Sequence, residues 1–122
     1  MFAHDGTLVA NAPHMPVHLG SMDRSVETII RDNVGQIKPG DIYAINAPYN
    51  GGTHLPTSLS ARRCSTTGRN RSCSGWRRAA TTPMLAAFRP GSMSPNATTI
   101  EQEGVLFDNF KLVDRGRFRE RN

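Results

Sequence analysis

At 122 residues the chain has room for one small domain, and its 37% hydrophobic and 7% aromatic content is thin for a large independent core. The formal charge of +5 would suit an anionic partner. That charge is confined, however: seven arginines and no acidic residue lie between Thr57 and Arg89, and the eight other basic residues are outnumbered by ten acidic ones.

From the start of the chain, "HDGTLVANAP" places an Asp-Gly turn before the extended run Thr7–Ala10, a hairpin signal. In "PHMPVHLGS" the prolines are expected to bar a helix. His14 and His18 lie four apart there, and either line a cleft or pack in turns. Ser21 is a candidate N-cap for "MDRSVETIIRDNVG", where Met22, Val26, Ile29 and Ile30 share one helical face and Gly35 closes the helix. "KPGD" reads as a turn and "IYAIN" as a strand, which runs into the loop "APYNGGTHLP". A glycine-rich turn at a strand end is a common place for functional side chains. Asn46, Tyr49 and Asn50, beside Gly51 and Gly52, either hydrogen-bond a substrate or fix the loop. A loop histidine such as His54 is in most proteins a solvated or hydrogen-bonded side chain.

Thr57–Phe88 shows neither helical nor strand period, and residues 57–88 are expected to be irregular. "RRCSTTGRNRSCSGWRR" within it holds six arginines, both cysteines and the only tryptophan. As a nucleic-acid module it lacks stacking groups, having only Trp76 and Phe88 nearby, and no RNA-binding signature appears. Cys64 and Cys73 lack CxxC spacing and have no two further ligands for a zinc knuckle. No nucleic-acid partner is expected.

"RPGSMSPNATTIEQEGVLFDNFKLVDRGRF" alternates turn signals with short apolar runs. Thr99–Gln102 either begins a short helix or, given Gly104, stays a loop. "GSMSPNATT" is a substrate-facing loop or polar surface, and Asp114-Arg115-Gly116 a salt-bridged turn. No apolar run approaches the roughly 18 residues of a membrane helix, and no basic-then-apolar signal opens the chain. A cytoplasmic protein without a membrane partner follows as the expectation. The fold class is α/β (mixed α+β), loop-rich.

Four strings, "DGTLVANAPHMPVHLGSM", "KPGDIYAINAPYNGGTHLP", "RPGSMSPNATTIEQEGVL" and "NFKLVDRGRF", resemble the hydantoinase B/5-oxoprolinase family, which includes the large subunits of acetone and acetophenone carboxylases. They cover nearly all of Met1–Pro56 and Arg89–Phe118, so residues 1–56 and 89–118 are family-like, and the chain is expected to be an N-terminal piece of a longer subunit. The resemblance implies ATP-dependent opening of a cyclic amide, 5-oxoproline or a hydantoin, with nucleotide chemistry on a hydantoinase A-type subunit or domain. A ketone carboxylase subunit is the alternative. It also implies a divalent metal held by His54, an aspartate three residues on, and a histidine of a downstream "HHAD". Here those later positions are Thr57, Thr81 and Thr82. One ligand cannot hold a catalytic metal, so the chain is expected to bind none and to be inactive. Asn46, Tyr49, Gly51, Gly52, His14 and His18 are the substrate-binding candidates.

The middle segment departs from the family's strand-turn-strand text. Read one nucleotide out of register, with free choice of synonymous codons, Thr57–Ser60 decodes as D-I-T-V and Arg63–Thr67 as P-V-F-D-D. Ser72–Met84 decodes as I-L-F-W-V-A-S-R-G-H-H-A-D, and Leu85–Phe88 as V-G-G-I. Two compensating frameshifts, near Pro56 and near Phe88–Arg89, would produce this chain. The strands that should pair with "IYAIN" are then replaced, and independent folding is not expected.

Overall fold

A computed structural model describes residues 1–11, 13, 16–55, 58–66, 73–81 and 95–120, with the side chains at 18–19, 58–59, 64–66 and 73–81 left aside. Its elements are α1 (Pro16–Asp32), β1 (Ile42–Ile45), a 3-10 turn at Pro48–Asn50, β2 (Ser58–Thr66), β3 (Cys73–Thr81), α2 (Ile100–Glu103), β4 (Phe110–Asp114) and β5 (Arg117–Phe118). The strands form one antiparallel sheet in the order β3-β2-β1-β4-β5, with β1 at its centre. The mixed α/β class agrees with the sequence.

α1 begins earlier than the proline-rich text suggests. Pro16 is its first residue, a position where the missing N–H would have had no intrahelical partner anyway. Ser21 is therefore inside the helix and not its cap. The apolar face is as expected: Val26 and Ile29 are buried, with Met22 and Ile30 at the margin. They meet Tyr43 and Ile45 of β1, Ala47 beyond it, Ala61 of β2 and Phe2, in a single core. Phe2 arrives there through the Asp-Gly turn, where Gly6 adopts φ +92° and one bridge pairs Phe2 with Leu8.

The largest correction concerns residues 57–88. Within that span, expected to be irregular, β2 and β3 form a nine-pair antiparallel ladder, from Ser58↔Thr81 to Thr66↔Cys73. β1 pairs with β2 from Ile42↔Arg62 to Ile45↔Leu59, so "IYAI" has a strand on each side. The physical reason is that a buried strand must satisfy its backbone N–H and C=O groups, and a neighbouring backbone does this without regard to side-chain text. Side-chain periodicity, the signal that was missing, is a separate requirement.

The β1–β4 register slips between Ile42 and Tyr43, pairing Ile42 with Val113 but Tyr43 with Lys111. β4 and β5 turn through Arg115 (φ 48°) and Gly116 (φ 84°). Two successive positive φ values are the type I′ pattern that matches strand twist.

Candidate functional site

The loop that follows β1 is built around Asn46. Its side chain is fully buried. The amide donates to the Leu55 carbonyl (2.8 Å) and the Val105 carbonyl (2.7 Å), and its Oδ1 accepts from the Phe107 N–H (2.6 Å). The backbone N–H groups of Asn46 and Ala47 both donate to the Phe107 carbonyl. One side chain thus joins both ends of the loop to the segment after α2. Of the two roles open to Asn46, this geometry performs the loop-fixing one.

Gly51 and Gly52 let the loop lie against its neighbours. Gly51 has φ +92°, and a Cβ there would strike the backbone of Ser25 on α1. A Cβ on Gly52 would overlap the Asn46 carbonyl. Ser25, itself buried, donates its hydroxyl to the Gly51 carbonyl (2.6 Å), and Gly52 N–H donates to Ala47 O (2.8 Å). Asn50 donates its amide to both carboxylate oxygens of Asp108, at 2.8 and 2.9 Å. The result is a turn whose backbone is held by α1, β1 and residues 105–108.

Asn46, Tyr49, Gly51, Gly52 and His54 share this loop. Tyr49 is 98% exposed, whereas His54 is half-buried beside Thr53, with Nδ1 3.4 Å from the Thr53 hydroxyl. His18 is in the first turn of α1, its side chain outside the description, and His14 lies outside the described residues altogether. Thr57 and Thr82 are also outside them, while Thr81 ends β3 opposite Ser58. Among the described residues no three His, Cys, Asp or Glu side chains come together as a metal-binding group.

Sequence reasoning missed the carboxylate at Asp41. It is fully buried, yet accepts from the Lys38 N–H (2.9 Å) and the Arg115 N–H (2.8 Å), and pairs with Lys111 Nζ (2.9 Å). Burial alone would raise its pKa. The two N–H donors and the Lys111 ammonium outweigh burial and hold it below the ordinary 3.8. Lys111 also pairs with Asp114 at 2.8 Å and lies 5.8 Å from the Tyr43 ring centroid. Hydrogen bonding to Asp114, ahead of the smaller Asp41 contribution, lifts the Lys111 pKa above 10.5. Burial raises the Tyr43 phenol. The signal was available in "KPGD", an aspartate closing a Pro-Gly turn just before a buried strand. The network pins the start of β1 to the β4–β5 turn, which is a structural task.

The hydantoinase B/oxoprolinase family model matches residues 1–122. The chain is 37% identical over 121 residues to 5-oxoprolinase of Saccharomyces cerevisiae, covering 98% of this chain and 9% of the yeast enzyme. In fold it is similar to an ATP-dependent caprolactamase from Pseudomonas jessenii, with TM-score 0.71 at 22% identity over 97% of this chain and 22% of that one. An ATP-dependent acetone carboxylase gives TM-score 0.65 at 18% identity, covering 84% and 14%. The chain therefore spans about a tenth of the length of the curated relative. Among the described residues, no helix is long and apolar enough to cross a membrane.

Proposed function

The chain belongs to the hydantoinase B/oxoprolinase family, and we propose that it is part of a subunit that opens a small cyclic amide ring with the use of ATP. 5-Oxoproline is the first substrate class in this reading and a hydantoin the second. The observation that carries it is the match over the whole chain, together with 37% identity to a 5-oxoprolinase. The nucleotide is handled by a hydantoinase A-type subunit or domain, in the cytoplasm. A carboxylase acting on a ketone is supported only by likeness of fold to acetone carboxylase, over less of the chain than the caprolactamase likeness.

In this reading the loop from Asn46 to Leu55 borders the substrate. Asn46, Gly51 and Gly52 set its backbone, and Tyr49 and His54 offer the polar side chains. A ring-opening hydrolysis needs a group that polarises the amide carbonyl and one that positions water. The divalent metal that the resemblance implies does not fit the residues present. Its ligand positions beyond His54 carry Thr57, Thr81 and Thr82, and neutral hydroxyls are poor replacements for carboxylate and imidazole. This chain is proposed to be inactive as it stands.

Calorimetric titration with zinc, manganese and magnesium tests the ligand reading. The present chain should bind none of them tightly, and the triple variant Thr57→Asp, Thr81→His, Thr82→His should gain a site that His54→Ala abolishes. Tight binding by the unaltered chain, or no gain in a folded triple variant, contradicts it. The activity is tested separately, by ring opening and ADP release from 5-oxoproline and from hydantoin, using the whole gene product with a hydantoinase A-type partner.

A further inference from the structure

The hairpin of β2 and β3 is at odds with its own side-chain text. β2 has a strand on each side, a setting that favours β-branched and aromatic residues. Yet Ser58–Thr66 and Cys73–Thr81 contain no valine, isoleucine, phenylalanine or tyrosine, and hold four arginines. The ladder sets Arg62 directly opposite Arg77, an arrangement that is unfavourable for like charges on paired strands. The sequence from 57 to 89 contains no acidic residue. The backbone plan and the residue choices contradict each other here and agree elsewhere, which natural sequences seldom allow over so long a stretch.

We propose that residues 57–88 are encoded one nucleotide out of register with the codons on either side. In the neighbouring frame, positions 58–60 can read I-T-V and 64–65 V-F, which gives β2 β-formers on either side of a proline at 63, where the bond from the Arg63 N–H to the Asp41 carbonyl would be given up. Positions 73–77 can read L-F-W-V-A, which supplies β-formers to β3. The register then opposes phenylalanine to phenylalanine where Ser65 now faces Ser74, and valine to tryptophan where Cys64 faces Gly75. Such aromatic and β-branched cross-strand pairs stabilise sheets. The Arg62–Arg77 opposition disappears, because the tryptophan codon before position 77 fixes its first base as G, and G followed by the first two bases of either arginine codon class reads alanine or glutamate and never arginine. Two adjacent aspartates fall at positions 66–67, where β2 ends. Two opposite shifts also preserve length, in keeping with similarity to the yeast enzyme that runs across 98% of the chain.

This inference uses the hairpin and the genetic code, and stands whether or not the ring-opening activity is found. Nucleotide sequencing of gene and transcript from codon 45 to codon 100 tests it. The expected result is an open neighbouring frame that spells the apolar runs at 58–60, 63–65 and 72–77, bounded by a single-base change near codon 56 and an opposite one near codon 88. The same result in corrected form, with that text already in frame, supports it equally. A stop codon in the neighbouring frame within codons 57–88, or third bases that give polar text at those strand positions, overturns it.

Discussion

The side-chain amide of Asn46 donates to the carbonyl of Val105, 59 residues further along the chain, at 2.7 Å. The same side chain reaches Leu55 and Phe107, so the buried Asn46 closes the candidate loop on the segment after α2. Asn46→Ala would leave the buried Leu55 carbonyl, and the part-buried Val105 carbonyl and Phe107 N–H, without their partner. An unsatisfied buried group costs about 1–3 kcal/mol, so a loss of roughly 3 kcal/mol or more is expected. Asn50→Ala, which removes only exposed bonds to Asp108, should cost under about 1 kcal/mol. Urea midpoints of the two variants check the ranking. Equal midpoints would show that the Asn46 side chain does not close the loop.

The two loop glycines differ from the one in α1. Gly52→Ala sets a methyl group into the Asn46 carbonyl, and Gly51→Ala combines a collision at Ser25 with a left-handed φ. Both should destabilise by at least about 2 kcal/mol, since backbone on both sides has to move. Gly20→Ala meets nothing within 4 Å and lies inside α1. It should stabilise by roughly 0.5–1 kcal/mol, the difference in helix propensity. Thermal melts should separate the three variants by sign.

Ser25 ties α1 to the loop through its hydroxyl bond to Gly51. Ser25→Ala keeps the helix, as alanine is the better helix former, but leaves the Gly51 carbonyl without this donor. The expected result is an unchanged helical circular dichroism signal with faster amide exchange at Asn50 and Gly52. Unchanged exchange there would mean that the glycine packing alone holds the turn.

Much of this arrangement is legible in the residues, and the exceptions have physical causes. The amphipathic run Met22–Ile30, the Pro-Gly turn and the strand "IYAI" are local signals, and each forms where its pattern puts it. The start of α1 was obscured because proline breaks helices in their interior but suits their first turn. The role of Asn46 is invisible locally, since its partners lie 9, 59 and 61 residues away. Asp41 is similar: its Lys38 contact is local, but Arg115 and Lys111 arrive from the far hairpin. β2 and β3 could not be read at all, because their text carries no strand pattern and their place is set by the backbone needs of β1.

Asp41 and Lys111 make stability depend on pH at both ends of the scale. The Asp41 carboxyl titrates below its ordinary 3.8 in the folded chain. A depressed folded pKa means that its contribution is fully present above the unfolded value, and is lost as pH falls through the folded one. Acid unfolding should therefore set in below about pH 4, the reference carboxylate value. Lys111 is shifted the other way, above 10.5, so its contribution is complete below that value and fades as pH rises through the folded pKa. Between these limits the pair is intact. Lys111→Ala leaves a fully buried carboxylate with two N–H donors but no counter-charge, and removal of one partner of a buried pair costs about 3–5 kcal/mol. Lys111 is 21% exposed, so the lower end of that range is expected. Asp114→Asn touches only the half-exposed partner and should cost less than about 1 kcal/mol. Urea unfolding at pH 3, 5, 7 and 9 checks both points: the Lys111→Ala deficit should shrink at pH 3, where the Asp41 contribution is itself fading, and the Asp114→Asn deficit should stay small throughout. A Lys111→Ala deficit that is unchanged at pH 3 would assign the effect to lost packing on Tyr43 and not to charge.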